Sequence, residues 1–326
     1  MNKKNLIALV VVATLGVIAY LTSKNNDDQP SSKTGIGAEV VKKIDPTKIT
    51  AIMITDKNGS VTLEQKDQQW NVLERDGSEA KFEDIQKLVS DSVTLKSLRQ
   101  INASEKQYGR FELVDPSSSQ DKSGLKLEFK GSDKKVLKTL LIGKKSSSNS
   151  GANAGSPFGS SENQRFVLAD GIINVIEIDF SSALNDIAAD ASEWLNKDYF
   201  LKIEKIESVS VNHPDKANSW SLTREKDGDD MTLLDAKDGE KLDSSKGNSA
   251  GRVFGFANFD DVARKSAKPE DLGMDKAVTA TIETFEGYLY SVKMSKSGED
   301  HYMTIAASGS RVPQDDETKA RVPQPD

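Results

Sequence analysis

The chain has 326 residues, which is enough for two ordinary domains or for one domain built twice. Apolar residues make up 36% of it and charged residues 29%, a balance that is typical of a globular body and unlike that of a disordered chain. The formal net charge of -7 disfavours nucleic acid as a partner. Because there is no cysteine, a disulfide framework, a thiolate zinc site and a redox motif are all excluded.

The N-terminal segment has the charge pattern of a membrane anchor. Lys3 and Lys4 precede residues 6–21, which carry no charge. A helix of this length spans about 24 Å, which is short for a bilayer core but within reach. Positive charge ahead of the span favours an N-terminus in the cytoplasm. A cleaved signal peptide is the alternative, but Tyr20 and Leu21 make a poor cleavage site.

Two similar passages in the remaining chain indicate an internal repeat. "QQWNVLERDG" surrounds Trp70, and "NSWSLTREKDG" surrounds Trp220. Each follows a strand-like segment with alternating apolar residues and a turn, and each precedes a helix-like segment and further strands in the same order. Matches that keep one order at a near-constant offset indicate duplication.

Each copy predicts the element order β-β-α-β-β-β-β, with an antiparallel sheet and one helix packed on a face of it. The fold class is therefore α+β, a duplicated unit preceded by one transmembrane helix. Few helix breakers occur between the copies, and we predict a helical connector there. Its apolar residues are Val175, Ile178, Leu184, Ile187 and Trp194.

These patterns divide the chain into seven segments. They are a cytoplasmic N-terminus (1–5), a transmembrane signal anchor (6–21), a linker (22–39), a first α+β repeat (40–172), a helical connector (173–199), a second α+β repeat (200–308) and a disordered tail (309–326).

The three tryptophans are predicted to be structural core anchors. Trp70 and Trp220 occupy matching places in the two copies, so burial at the seam between sheet and helix explains both at once. Trp194 is the equivalent anchor of the connector. A tryptophan in a binding groove is the alternative.

Three motifs carry a resemblance to a known family: "YGRFELVDP" (108–116), "LLIGKK" (140–145) and "EDLGMDKA" (270–277). Together with the duplicated strand order behind one membrane segment, they resemble the bacterial domain-of-unknown-function 4340 family across both repeats. The chain departs from the family pattern at Phe111, where leucine is expected, and at Ala277, where proline is expected. The resemblance implies a membrane-tethered extracytoplasmic partner of gliding-type ABC transporter components, and it implies no enzymatic activity.

No motif in the chain indicates catalysis or a bound cofactor. His213 and His301 both stand beside turns, with no activating partner or zinc-ligand spacing in the sequence. The acidic stretches 56–60 and 227–240 do not place glycine and glutamate as a calcium loop requires, and hairpin turns are the better interpretation. We therefore predict no catalytic, cofactor-binding or metal-binding residues.

Two segments of low complexity remain. Residues 144–164 join two strands of the first repeat, and small polar residues favour disorder there. The tail repeats Arg-Val-Pro-Gln and is expected to be extended and solvated, with partner docking as the alternative. The candidate docking residues are Arg311, Val312, Pro313, Gln314, Arg321, Val322, Pro323 and Gln324.

The sequence as a whole predicts a non-catalytic accessory or scaffold protein, single-pass in the bacterial inner membrane with its body in the periplasm. We expect its partners to be the membrane, through residues 6–21, and an envelope protein such as an ABC transporter component. A module that binds an envelope glycan or another ligand, and a cell-envelope hydrolase, are the alternatives.

Overall fold

The computed structural model describes residues 37–41, 44–119, 121–145, 164–169, 175–179, 184, 187–198, 200–234, 236, 238–255 and 257–309. Within these ranges no helix is long and apolar enough to cross a membrane. The predicted anchor 6–21 lies outside the described residues.

The chain divides into two compact units, Met1–Asn196 and Lys197–Asp326. The described part of the first unit contains nine strands and the helix α1: β1 Ala51–Thr55, β2 Ser60–Lys66, β3 Gln69–Val72, β4 Ser78–Glu79, α1 Phe82–Val93, β5 Ser97–Ile101, β6 Leu125–Lys130, β7 Val136–Lys145, β8 Gln164–Ala169 and β9 Val175–Asp179. The described part of the second contains six strands and one α-helix: β10 Ile206–Asn212, β11 Trp220–Thr223, β12 Thr232–Leu233, α2 Ser244–Ala250, β13 Val278–Thr284, β14 Tyr288–Ser297 and β15 Asp300–Gly309.

Each unit is built on one antiparallel sheet. The strand order is β4-β3-β2-β1-β6-β7-β8-β9-β5 in the first unit and β12-β11-β10-β13-β14-β15 in the second. Six neighbouring strands of the first sheet, β3-β2-β1-β6-β7-β8, therefore have the same order along the chain and in the sheet as the six described strands of the second. The predicted α+β class and duplicated sheet units are confirmed at this level, while the transmembrane helix stays a prediction.

Local sequence explains the first hairpins. Ile52 and Ile54 are completely buried and alternate with the half-buried Met53 and Thr55, which is the two-residue period of a strand with one core face. The Asp56 carboxylate accepts hydrogen bonds from the backbone N–H groups of Asn58 and Gly59, which closes the turn into β2.

A second turn separates β2 from β3. It consists of Asp67 and Gln68, which have φ angles of 51° and 67° and join the paired residues Lys66 and Gln69. Two consecutive left-handed residues form the type I′ turn that suits the twist of a hairpin. The expected signal for such a turn contains glycine or asparagine. Because this turn contains neither, β2 and β3 are not predicted from the sequence as separate strands.

The two helices differ in how much apolar surface they bury. Helix α1 buries Ile85, Leu88, Val89 and Val93, which share one helix face. Helix α2 is seven residues long and buries only Gly247, and its N-terminus is capped by the Asp243 carboxylate. The helix predicted for the second repeat is therefore present, but it is shorter than α1 and buries less apolar surface.

The strand registers show which residues of the two units are equivalent. Six buried residues hold matching places: Ile52 between Leu63 and Phe129, and Val209 between Leu222 and Ile282. One pair further along, Ile54 opposes Val61, whereas Val211 opposes Trp220. The counterpart of Trp220 is therefore Val61, and the predicted match between Trp220 and Trp70 is wrong.

The prediction that Trp220 is a buried anchor is also wrong. Its side chain is 37% exposed, whereas Val61 is 0% exposed. The 3-10 helix Ala191–Trp194 packs against β2 in the first unit, and the chain that follows β15 in the second unit lies outside the described residues. With a shorter helix as well, the described part of the second unit covers β11 less completely. Trp70 and Trp194 are 7% and 6% exposed and lie in the core of the first unit.

The register instead gives Trp70 another counterpart. Trp70 stands two residues before Val72, which opposes Leu63, and Met231 stands two residues before Leu233, which opposes Leu222. Met231 is 3% exposed. The second unit thus fills this core position with a flexible thioether side chain.

Three predicted segment boundaries need correction. Residues 175–179 form strand β9 and not a helical connector, because they complete the sheet beside β8. The linker 22–39 is wrong at its end, since Glu39 forms a β-bridge with Lys96. The tail 309–326 is wrong at its first residue, because Gly309 is the last paired residue of β15.

Candidate functional site: the open edge of the second sheet

Strand β15 forms one edge of the six-stranded sheet. It is ten residues long and pairs with β14 from Asp300 to Gly309. Met303 and Ile305 pack against the core of the unit, which places the alternate residues on the opposite face. A long edge strand with one apolar face can accept a further strand.

The corresponding edge of the first sheet is covered by its own chain. Strand β8 holds the place of β15, and β9 pairs with it, with Val167 opposite Ile176. Strand β5 then pairs with β9. Beyond β5, the N–H of Gly37 donates to the carbonyl of Ser97 over 2.7 Å. This side of the first sheet is thus extended by two strands and by the segment that enters the unit.

The other edge of the first sheet, beside β4, is covered as well. The N–H of Lys81 donates to the carbonyl of Trp194, and the N–H of Asn196 donates to the carbonyl of Glu79, each over 2.9 Å. Ala80 and Leu195 form a β-bridge between these two bonds. Both edges of the first sheet therefore find backbone partners within the unit.

Strand β15 is different, because no strand of the described chain pairs with its outer side. Proteins commonly protect an open edge with lysine, proline, a bulge or a very short strand. The pairing of β15 with β14 shows no register shift, and residues 302–309 contain no charge and no proline. Strand β15 is therefore the part of the described structure best suited to bind a partner backbone.

The strand at the opposite edge of the second sheet, β12, is very short. Strand β12 has only two residues, so it offers a partner few backbone groups. Trp220 lies on β11, four strands from β15 in the sheet order, and does not belong to the candidate edge. The two core tryptophans of the first unit do not belong to it either.

The two histidines are separate features. His213 is half-buried at the turn after β10, where its backbone N–H donates to the hydroxyl of Ser219 over 3.0 Å. His301 is exposed near the start of β15 and opposes Lys296. Both positions agree with the turn-side placement predicted for them.

A cluster of charged side chains in the first unit is centred on β6. The Lys126 ammonium contacts the carboxylates of Asp115 at 2.9 Å and Glu128 at 3.4 Å, and Lys130 contacts Glu128 at 3.6 Å. Burial alone would raise the pKa of Asp115, but hydrogen bonds from Lys126 and Ser117 lower it. Since cations and anions alternate and contact one another, the cluster has the chemistry of a structural ion-pair chain.

The described residues of the acidic turns have other partners. In the hairpin turn after β1, the Asp56 side chain is bound by backbone amides, and Asp227 forms an ion pair with Arg224 at 3.3 Å. Among the described residues there is no group of three or more histidine, aspartate or glutamate side chains that could hold a metal ion.

The family-like motifs meet in the fold. A Cβ at Gly143 would collide with the carbonyl oxygen of Phe111 and would approach Leu113 to 3.0 Å, so the "YGRFELVDP" segment crosses the end of β7 at this glycine. In the second unit the hydroxyl of Ser295 donates to the carbonyl of Leu272 over 2.7 Å. Register places Ser295 at the position of Gly143. These motifs therefore build the same loop-over-strand crossing twice.

No family model, no curated protein and no solved structure matches this chain. The resemblance to the domain-of-unknown-function 4340 family stays a prediction. The candidate docking residues of the tail, 311–314 and 321–324, and the greater part of the 144–164 loop lie outside the described residues.

The sequence predicts β15 as a strand but does not predict that it forms an edge of the described sheet. Its signal was present, because a strand pattern without charge or proline occurs near the end of the repeat. The pairing of β8 with β9 was not predicted, because residues 175–179 were assigned to a helical connector. Without that pairing, the two units could not be compared at their edges.

Proposed function

We propose that the protein is a non-catalytic, membrane-tethered accessory or scaffold protein that binds an envelope partner by strand addition at β15. The observation that carries the proposal is the contrast between two equivalent edges. The first unit covers its edge with β9, whereas β15 has no strand on its outer side in the described part of the chain. Backbone hydrogen bonds give such an edge affinity for an extended partner.

The tethering is proposed from the N-terminal charge pattern. Lys3 and Lys4 ahead of the uncharged residues 6–21 favour an anchor with the body on the periplasmic side of the inner membrane. An anchor raises the effective concentration of a partner in the same membrane, so a single added strand suffices for binding. A component of an ABC-transporter-type envelope complex is the kind of partner that the family resemblance favours.

The test uses proline at two neighbouring positions of β15, Thr304→Pro and Ile305→Pro. Consecutive residues of a strand direct their N–H groups to opposite sides, so one of the two donates to β14 and the other points to the open edge. Proline at the outward position leaves the β14 pairing intact and blocks an added strand.

Partner binding is measured in intact cells with a photo-cross-linking residue at Ala306 of β15. The same residue at Leu289 of β14 serves as the control. We expect an adduct of defined mass from position 306 only, and we expect the proline variant that keeps the fold to lose it. An adduct that survives in that variant, or equal adducts from both positions, would show that the edge is not the binding surface.

A further inference from the structure

The first unit shows what kind of strand completes this sheet. Val292 and Leu140 occupy equivalent places in β14 and β7. Each pairs with an equivalent residue of the preceding strand, which is β13 for Val292 and β6 for Leu140. Their partners Ile305 and Ala169 are therefore equivalent as well. Two residues earlier in each edge strand stand Met303 and Val167.

Val167 is completely buried, whereas Met303 is only half-buried. In the first unit Ile176 of β9 opposes Val167, and Ile178, two residues further along β9, is 0% exposed. The second unit supplies the sheet and the core face at this place, but its described residues supply no strand to complete them. Compared with the first sheet, the described second sheet thus lacks one extended segment, with an aliphatic residue opposite Met303, on the outer side of β15.

Residues 310–326 of the chain do not have the composition to fill this place. They contain prolines at positions 313, 323 and 325. The longest stretch between prolines, 314–322, is dominated by charged residues and lacks the alternating apolar pattern of a strand. The composition of the tail therefore lacks the alternating apolar side chains of the β9 sequence.

Resting on the proposed function, we infer that the partner segment is an antiparallel strand of another protein, with a β-branched aliphatic residue opposite Met303 and the apolar-polar alternation of β9. Its aliphatic side chains extend the core face over Met303 and Ile305. Its backbone takes the outer hydrogen-bonding groups of β15. The recognition is by strand chemistry and by one register-defining contact, as in other strand-addition complexes.

The test exploits the absence of cysteine from the chain. Full-length protein carrying Met303→Cys is mixed under mild oxidation with a synthetic peptide of residues 173–181, in which the residue corresponding to Ile176 is cysteine. Directly opposed residues of antiparallel strands lie about 4.5–5.5 Å apart between Cα atoms, a distance that a disulfide spans. Tyr302→Cys is the matched control, because its side chain lies on the other face of β15.

We expect the peptide to be trapped by Met303→Cys at least about tenfold faster than by Tyr302→Cys, and a peptide with proline at the place of Ile178 to be trapped no faster than the control. Equal rates for the two protein variants would overturn the inferred register and chemistry. Disulfide-linked dimers of Met303→Cys that outcompete the peptide would show that a second copy occupies the edge. Either result leaves the proposed function standing if the proline variants of β15 still abolish the cross-link in cells.

Discussion

At the scale of single residues, the three tryptophans separate core packing from surface exposure. Trp70 and Trp194 are almost completely buried in the first unit, and the indole N–H of Trp194 donates to the carbonyl of Ala188 over 3.0 Å. Trp220 has more than a third of its surface exposed. The loss of each side chain should therefore carry a different energetic cost.

We predict that Trp70→Ala lowers the free energy of unfolding of the first unit by about 3 to 5 kcal/mol, the range for a large aromatic removed from a core. Trp220→Ala should cost the second unit less than about 2 kcal/mol, because part of its surface stays in contact with water in the folded state. Chemical denaturation of the full chain, followed by tryptophan fluorescence and circular dichroism, measures both. Equal losses would contradict the difference in burial.

A second residue-scale prediction concerns the ion pair between Asp115 and Lys126. The lowered pKa of Asp115 means that its contribution to stability is present above the unfolded-state pKa of about 3.9 and is lost as the pH falls through the folded-state value. The pKa of Lys126 is raised: burial would lower it, but Asp115 and Glu128 outweigh burial. Its contribution is present below about pH 10.4 and is lost as the pH rises through the folded-state value.

Asp115→Asn should therefore lower the free energy of unfolding by about 0.5 to 1 kcal/mol near neutral pH, since the pair is partly exposed to solvent. The difference from wild type should vanish at pH values below the folded-state pKa of Asp115. Asp133→Asn is the control, because the Asp133–Lys135 pair is far more exposed, and we expect no resolvable effect. A pH-independent loss in Asp115→Asn would mean that packing, not charge, is responsible.

At the scale of elements, the two units make the same hairpin with connections of very different length. Strands β14 and β15 are joined by two residues, Gly298 and Glu299, and Gly298 has the positive φ of 62° that the turn requires. Strands β7 and β8 are joined by residues 146–163. Because Lys145 pairs with Arg165, the strand ends already stand at hairpin distance.

We predict that replacing residues 146–163 with Gly-Glu leaves the first sheet intact and raises the free energy of unfolding by at most about 2 kcal/mol, since a shorter loop costs less closure entropy. Denaturation and circular dichroism of the shortened chain measure this. A scrambled 146–163 segment of unchanged length is the control for sequence effects. Loss of the fold in the shortened chain would show that the segment itself is required by the sheet.

At the scale of the whole molecule, the two units share a six-stranded sheet but differ at its edges. In the first unit, β9, β5 and the segment at Gly37 cover one edge of the sheet, and residues 194–196 cover the other. The second unit keeps the same six central strands, while β15 has no strand on its outer side within the described ranges.

The whole-molecule prediction concerns the membrane. We expect the full chain to stay in the membrane fraction after a high-salt wash, deletion of residues 1–21 to release it, and a reporter fused after Asp326 to behave as extracytoplasmic. Fractionation and reporter activity measure these outcomes. A mature N-terminus near Ser23 would contradict the anchor while leaving export intact.

The sequence by itself determined the parts of the fold that depend on local periodicity. The alternation of Ile52 and Ile54, the helical spacing of Ile85 and Leu88, and the repeated order of segments were sufficient to predict two α+β units with antiparallel sheets. The candidate edge was predictable only as a strand near the end of the second repeat. Local patterns report burial and strand period, but they do not report which strand has a neighbour.

Only the tertiary structure decided the equivalence of residues and the identity of the open edge. The turn at Asp67 and Gln68 places Trp70 on β3, the third strand of its unit, whereas Trp220 lies on β11, the second strand of its own, although the two surrounding phrases are alike. Residues 175–179 form strand β9 because they pair on one side with β8 and on the other with the distant strand β5. Their valine and isoleucine residues also favour a strand. That no described strand pairs with the outer side of β15 is likewise a matter of pairing between segments, which the composition of the strand permits but does not specify.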